Sequence, residues 1–242
     1  MPERASAEQF LQQLDEYRRP NEQEPSGRAL EADAEQGSRA IPMRQIFALA
    51  KQFMAMPPGD IETLLDSPRH DVRVGAVSIM DWQARSKKLP EQRRKALFDL
   101  YIRRHDRINT WDLVDRCAPY VVGGYLANKP RAILYELARS ESPMERRTAI
   151  VATYYFIRQG DVDDTFAIAE VLVYDPHDLV QKAVGGWVRE AGKRNPEKLL
   201  SFLDTYAPTM PRTILRYAIE HLDPAQREHY LGLKGTSAQS ER

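Results

Sequence analysis

The chain has 242 residues, one cysteine, and 35 basic against 35 acidic side chains, so its formal charge is zero. A single cysteine excludes an internal disulfide and a CxxC site, and no stretch approaches the 18 apolar residues that a membrane span needs. Neutrality argues against an obvious polyanion binder, which usually carries a basic excess. We expect a soluble, cytoplasmic monomer without a membrane partner.

The charge is unevenly distributed along the chain. Residues 1–38 hold nine acidic and four basic side chains, which leaves 31 basic and 26 acidic ones, or +5, in residues 39–242. The helical spacing of Phe10, Leu11, Leu14 and Tyr17 predicts one short amphipathic helix in the acidic part. This part is either a solvated lead-in or an arm that opposes binding of an anionic partner.

Composition predicts three parts of the chain. Residues 18–39 are polar and carry two prolines and two glycines, as linkers do, so we assign 1–39 to an acidic N-terminal segment. Residues 40–233 are predicted to form a repeat domain. Residues 234–242 are predicted to be a flexible tail.

Helical periodicity dominates residues 40–233, for example in 46–56 and 146–157, and no segment demands a strand. Ser-Pro or Asp-Pro opens three similar segments, with Ser or Asp as the predicted N-cap and Pro as the first helical residue; these segments are 67–82, 142–157 and 175–190. Pro143 and Pro176 are 33 residues apart. This period predicts an all-α solenoid of HEAT-like repeats, curved, with a concave face for a macromolecule.

Several kinds of chemistry find no support in the sequence. The five histidines form no HxxxH pair, and no phosphate-binding Walker sequence occurs, so we expect neither a metal nor a cofactor. Cys117 lies in an apolar segment and is interpreted as a small buried hydrophobe.

Trp111 and Asp115 form the main candidate site. On a helix they lie one turn apart on one face, while Leu113, Val114 and Cys117 point toward the core. An aromatic face beside a carboxylate attracts a cation. The alternative is that Trp111 packs between repeats while Asp115 pairs with a neighbour such as Arg147.

Basic residues supply further candidates. Arg146 and Arg147 lie in the first turns of a predicted helix, where Arg147 either holds a phosphate or braces the next repeat. Other basic residues form either a positive groove or an ordinary solvated surface: Arg39, Arg44, Arg73, Lys182, Arg189, Lys193, Arg194, Arg212 and Arg216.

Four segments resemble the AlkD-type DNA alkylation repair proteins, which are HEAT-like DNA glycosylases: NTWDLVDRCAPYVVGGYL (109–126), ERRTAIVATYYFIRQGDVDDT (145–165), DPHDLVQKAVGG (175–186) with the run after it, and TMPRTILRYAIEHLDPAQREHYL (209–231). The upstream LLDSPRHDVRVGAVSIMD (64–81) is similar too. The likeness covers about residues 40–233.

This resemblance implies excision of cationic N3- or N7-alkylated purines from double-stranded DNA without full base flipping. It implies that Trp111 contacts the lesion or its sugar, that Asp115 stabilises positive charge on the sugar and orients water, and that Arg147 holds a phosphate. Trp187, with Arg146, Lys182 and Arg212, completes the predicted DNA contacts.

Two positions depart from the family pattern. Met144 stands where members commonly have tryptophan, and Gly186 occupies the place of a second tryptophan, so that Trp187 comes one residue late. One residue on a helix turns a side chain by about 100°. Trp187 therefore either contacts DNA or packs between helices. The departures also keep two alternatives open, a DNA-structure binder with weak or no excision and a protein-binding scaffold.

Overall fold

A computed structural model of the protein describes residues 5–18 and 41–233, with only the backbone of Arg18. Throughout these two ranges the regular elements are helical and no strand occurs, so the predicted all-α class is confirmed. The predicted linker beyond Arg18 and the predicted tail at 234–242 lie outside the described residues. The chain divides into two compact units, Met1–Cys117 and Ala118–Arg242.

Two layers of helices build the first unit. Helix α2 packs on α4 in one layer, while α3 contacts both α1 and α5 in the other. This alternation is how helical repeats bury their apolar sides. The helices that begin in this unit are α1 (Ala7–Arg18), α2 (Met43–Gln52), α3 (Pro58–Leu65), α4 (His70–Arg85), α5 (Glu91–Arg103) and α6 (Trp111–Ala118).

The predicted N-terminal helix exists and joins the core. Phe10 and Leu14 on α1 are fully buried. The Phe10 ring fills the space above Gly75 of α4, where an added Cβ would lie 2.3 Å from the ring. A glycine at this position therefore lets α1 approach the repeat helices closely.

The second unit repeats the same design. Helix α12 packs between α9 and α14, and α11 contacts both α9 and α12. The predicted helical repeats are thus confirmed. The elements are a π-helical turn (Pro119–Gly123), α7 (Gly124–Leu126), α8 (Ala132–Leu137), α9 (Pro143–Ala152), α10 (Tyr154–Arg158), α11 (Asp163–Leu172), α12 (Asp178–Gly192), α13 (Pro196–Tyr206), α14 (Arg212–Ala218) and α15 (Pro224–Gly232).

The π-helical turn directly follows α6. Pro119 has no N–H, and the Gly124 N–H donates to the Pro119 carbonyl five residues back, which widens this turn. A Cβ on Gly123 would lie 2.1 Å from the Ala152 carbonyl oxygen, so glycine is needed where the π-helical turn meets α9. Such turns often accompany functional sites.

One of the three predicted helix starts is correct and two are wrong. Pro143 opens α9, and the Ser142 hydroxyl accepts a hydrogen bond from the Glu145 N–H at 3.5 Å. Helices α4 and α12 instead begin three residues after the predicted caps. Ser67 accepts from the Arg69 N–H (3.2 Å) and Asp175 from the His177 N–H (2.9 Å). These local turns compete with helix initiation and delay it.

None of the helices within the described ranges combines the length and apolar character that a bilayer crossing requires.

Candidate nucleic-acid interface

The predicted pair of tryptophan and carboxylate lies on α6. Trp111 is the first residue of this helix and keeps 52% of its surface exposed. Asp115 follows one turn later and is half-buried. Leu113, Val114 and Cys117 are fully buried, as predicted, and hold the opposite side of α6 in the core. About half of the Trp111 side chain is therefore open to a ligand, and its contact with DNA stays a prediction.

Cys117 is the buried small hydrophobe that the sequence predicts. Burial raises the pKa of its thiol well above the ordinary value, which disfavours the nucleophilic thiolate. Across residues 5–18 and 41–233, no three His, Cys, Asp or Glu side chains are grouped so that they could hold a metal ion.

A hydrogen bond between His70 and Asp112 joins the first turns of α4 and α6. The His70 Nε2 lies 2.8 Å from the Asp112 Oδ2. An acidic residue in the first turn is also favoured by the helix dipole. The two residues are 42 positions apart in the chain, so their spacing in the sequence does not predict this contact. It fixes the end of α6 that carries Trp111.

Arg147 lies in α9 and is almost completely buried. Its Nη1 donates to the carbonyl oxygen of Leu179, in the first turn of α12. This bond joins α9 to the neighbouring repeat, so Arg147 braces that repeat, and its predicted phosphate contact stays a prediction.

Arg146 makes an ion pair with Asp175. Its Nε and Nη2 lie 2.5 and 3.2 Å from the two carboxylate oxygens, and its Nη1 donates at 2.9 Å to the carbonyls of Ser140 and Glu141. The Asp175 side chain is only 3% exposed. Arg146 thus pairs with a buried charge, and its predicted DNA contact stays a prediction.

A comparison with known protein families shows the family to which the chain belongs. A model of the DNA alkylation repair enzyme family matches residues 10–222, a span that includes all helices from α2 to α14. The chain belongs to this family. The predicted resemblance is confirmed at the level of the family, whose description points to DNA as the partner. No curated protein matches the sequence.

Two further predicted DNA contacts of this alkylation repair family member lie at helix starts in the second unit. Lys182 in α12 forms an ion pair with Asp178 at 2.6 Å, and this hydrogen bond raises the pKa of the lysine. Arg212 opens α14, and its Nη2 donates to the Leu231 carbonyl at 2.8 Å. Both side chains have intramolecular partners that DNA phosphates would have to replace or share.

Other members of the scattered basic set are also paired. The Lys193 ammonium lies 2.8 and 3.0 Å from the two Glu190 oxygens, and Arg189 pairs with Glu190 and Glu220. Arg39 lies outside the described residues. Arg189 and Lys193 thus have carboxylate partners, and the positive groove stays a prediction.

The positions that depart from the family pattern have clear surroundings. Trp187 is half-buried and packs on Tyr154, with ring centroids 5.0 Å apart. A Cβ on Gly186 would meet no atom within 4 Å, so the surface beside Trp187 is open. Met144 is 8% exposed and belongs to the core. The later repeat therefore presents bare backbone where a tryptophan is expected.

Proposed function

We propose that this family member is a DNA glycosylase that excises N3- or N7-alkylated purines from duplex DNA. The observation that carries the proposal is the outward-facing Trp111 with Asp115 one turn later on α6. An indole face and a carboxylate together suit a ligand that is cationic, as an alkylated purine is. The exposed position of Trp111 suits contact at the DNA surface, without full extrusion of the base into a closed pocket.

The reaction breaks the bond between C1′ of the deoxyribose and the purine nitrogen. The bonding electrons leave with the base, whose positive charge is thereby neutralised, and the sugar becomes an oxocarbenium-like cation. A water oxygen then bonds to C1′ and loses a proton. Because the alkylated base is already a good leaving group, the protein has to stabilise only the charge on the sugar.

Asp115 supplies that stabilisation in the proposed mechanism. A fixed carboxylate near C1′ attracts the positive charge as it develops and accepts a hydrogen bond from the attacking water. Trp111 places its ring against the lesion or its sugar and excludes solvent from one side. Both side chains are held by one helix whose other side is buried, so their spacing is set before DNA binds.

Arg147 is proposed to hold a phosphate near the lesion. Its bond to the Leu179 carbonyl limits the rotation of the guanidinium, and a positively charged fork held in one orientation suits bidentate binding of a phosphate. Trp187, Arg146, Lys182 and Arg212 are proposed as secondary contacts.

The decisive experiment measures release of 7-methylguanine from a duplex oligonucleotide by the wild-type protein and by Asp115→Asn. We expect the variant to lose about 100-fold or more in single-turnover rate, the size of effect seen when one electrostatic group is removed. Asp99→Asn, which changes an exposed carboxylate on α5, is the matched control and should keep the rate. No release by the wild type, beside an active reference glycosylase, would refute the proposal.

The open surface at Gly186 favours one second candidate, a DNA-structure binder with little excision. Such a protein would bind duplex DNA with strong salt dependence and release no base. Gly186→Trp separates the two candidates, because an aromatic added there should raise base release only if excision is the function.

A further inference from the structure

A cluster of charged and aromatic side chains lies on α2, α4 and α6, apart from Trp111 and Asp115. We call it the Trp82 cluster; it consists of Lys51, Asp81, Trp82, Arg85 and Arg116. Three cations surround the Trp82 ring, with the Lys51 Nζ at 5.1 Å, the Arg116 Cζ at 5.3 Å and the Arg85 Cζ at 5.9 Å from its centroid. Three cations on one indole are uncommon, since such contacts occur about once per 70–80 residues.

The indole at the centre of the cluster is held in place. Trp82 Nε1 donates to the Phe47 carbonyl at 3.2 Å. Arg116 also stacks on the Phe47 ring, with its Cζ 4.4 Å from the centroid, and its Nε donates to the Ser78 hydroxyl at 3.2 Å. Arginine packs on aromatic faces and is also the residue that proteins favour for recognising phosphate.

Positive charge exceeds negative charge among these residues. Asp81 is the one carboxylate of the cluster; its side chain is fully buried, and one oxygen lies 2.8 Å from Arg85 Nε and 3.1 Å from Arg116 Nη2. Once Asp81 is matched with Arg85, the charges of Lys51 and Arg116 remain. Within residues 5–18 and 41–233, Lys51 makes no ion pair, and Arg116 has no carboxylate except the shared Asp81.

An anion is the natural complement of this arrangement. An indole face attracts cations but carries no net charge, so it cannot cancel the repulsion among them. The buried Asp81 carboxylate pairs with Arg116. Burial raises the pKa of the Asp81 carboxyl. Arg116 Nε donates to Ser78 and Nη2 is buried, so a phosphate beside the ring would be met by Arg116 Nη1 and by the Lys51 ammonium as a point charge.

The position of Arg116 on α6 points to the DNA backbone as the source of that phosphate. Arg116 follows Asp115 directly and lies five residues after Trp111, about 7.5 Å along the helix axis and about 140° around it. This distance equals about two base-pair steps of 3.4 Å. DNA with its lesion at Trp111 would thus bring a neighbouring phosphate within reach of the cluster.

We propose that Lys51 and Arg116, supported by Trp82 and Asp81, form a phosphate-binding site for the DNA backbone beside the lesion. This inference rests on the proposed function, because the lesion at Trp111 sets the position of the duplex. The site anchors the strand through the first unit.

The first test measures affinity for an undamaged duplex at several salt concentrations in wild type and Lys51→Gln. Lys51 is exposed, so the substitution leaves the core intact. Loss of one phosphate contact should flatten the slope of log K against log salt by about 0.9. Lys95→Gln removes the same charge from an exposed lysine paired with Asp99 at 2.6 Å and should leave the slope unchanged. Equal slopes for wild type and Lys51→Gln would overturn the site.

A second measurement uses Trp82 itself as the probe. The chain has three tryptophans, so Trp111→Phe with Trp187→Phe leaves Trp82 as the only one. Duplex DNA should change its emission, and Lys51→Gln should reduce that change. An equal change with millimolar inorganic phosphate alone would assign the cluster to free phosphate and refute the backbone contact.

The outcomes separate this inference from the proposed function. Base release with an unchanged salt slope in Lys51→Gln refutes the phosphate site and keeps the glycosylase. A flatter slope in a protein that releases no base refutes the glycosylase and keeps a backbone-phosphate site.

Discussion

Gly185 and Gly186 are neighbours in α12, yet alanine should change stability in opposite directions at the two positions. A Cβ on Gly185 would lie 2.6 Å from the Ile214 carbonyl oxygen and 2.6 Å from Tyr217 Cβ, both on α14. At Gly186 the same atom would meet nothing within 4 Å. The pair thus isolates the effect of interhelical contact from that of helix propensity.

The structure sets the expected size of each effect. Alanine is favoured over glycine inside a helix by about 1 kcal/mol, so Gly186→Ala should raise the free energy of unfolding by up to that amount. Gly185→Ala gains the same stabilisation from helix propensity, but α12 and α14 must separate by about 0.8 Å to restore ordinary van der Waals contact. Overpacking of this kind costs about 1–3 kcal/mol, so we expect a net loss of up to about 2 kcal/mol.

Urea unfolding followed by circular dichroism measures both variants under identical conditions. The midpoint should rise for Gly186→Ala and fall for Gly185→Ala, with unchanged m values. An equal rise in both would show that α12 and α14 do not approach each other as closely as described. A fall in both would refute the open surface at Gly186.

Three further changes test the core and its polar contacts. Phe10→Ala should lower the free energy of unfolding by about 3–5 kcal/mol, because the ring is fully buried against the first unit; a loss below 1 kcal/mol in urea titration would contradict this. Asp175→Ala strands the partly buried Arg146 and should cost about 3–5 kcal/mol, whereas a neutral effect would refute a tight pair. Burial and the hydrogen bond to Asp204 raise the pKa of Tyr230 to about 12. The contribution of this hydrogen bond to the free energy of unfolding should therefore be complete below pH 10 and be lost as the pH rises from 10 to 12. Tyr230→Phe should therefore weaken the alkaline loss of stability, and an unchanged pH profile would contradict the raised pKa.

The helical fold and the residues of the α6 site can largely be predicted from the sequence. Apolar spacing identifies the helices and their buried sides, because a helix returns to the same side every 3.6 residues. The same periodicity places Trp111 and Asp115 together and Cys117 opposite them. Helix starts are less predictable, since Ser67 and Asp175 close local turns three residues before the helices begin.

Contacts between helices cannot be predicted from the helical periodicity of the sequence. His70 meets Asp112 and Arg146 meets Asp175 across 42 and 29 residues. These separations along the sequence follow no single period, because they depend on the relative shift and rotation of the neighbouring helices that make the contact. The sequence places Arg146 and Arg147 in the same helix turn, and only packing shows that Arg146 pairs with Asp175 and that Arg147 bonds to the Leu179 carbonyl.

The amino-acid sequence by itself determined the all-α class, the repeats, the family and the placement of Trp111 and Asp115 one turn apart on a single helix. The tertiary structure alone decided that Lys51, Trp82 and Arg116, about one repeat apart from each other, meet in one cluster. It also separated the crowded Gly185 from the open Gly186. The physical reason is that helix periodicity is a property of consecutive residues, whereas charge and space around a side chain are set by the helices packed beside it.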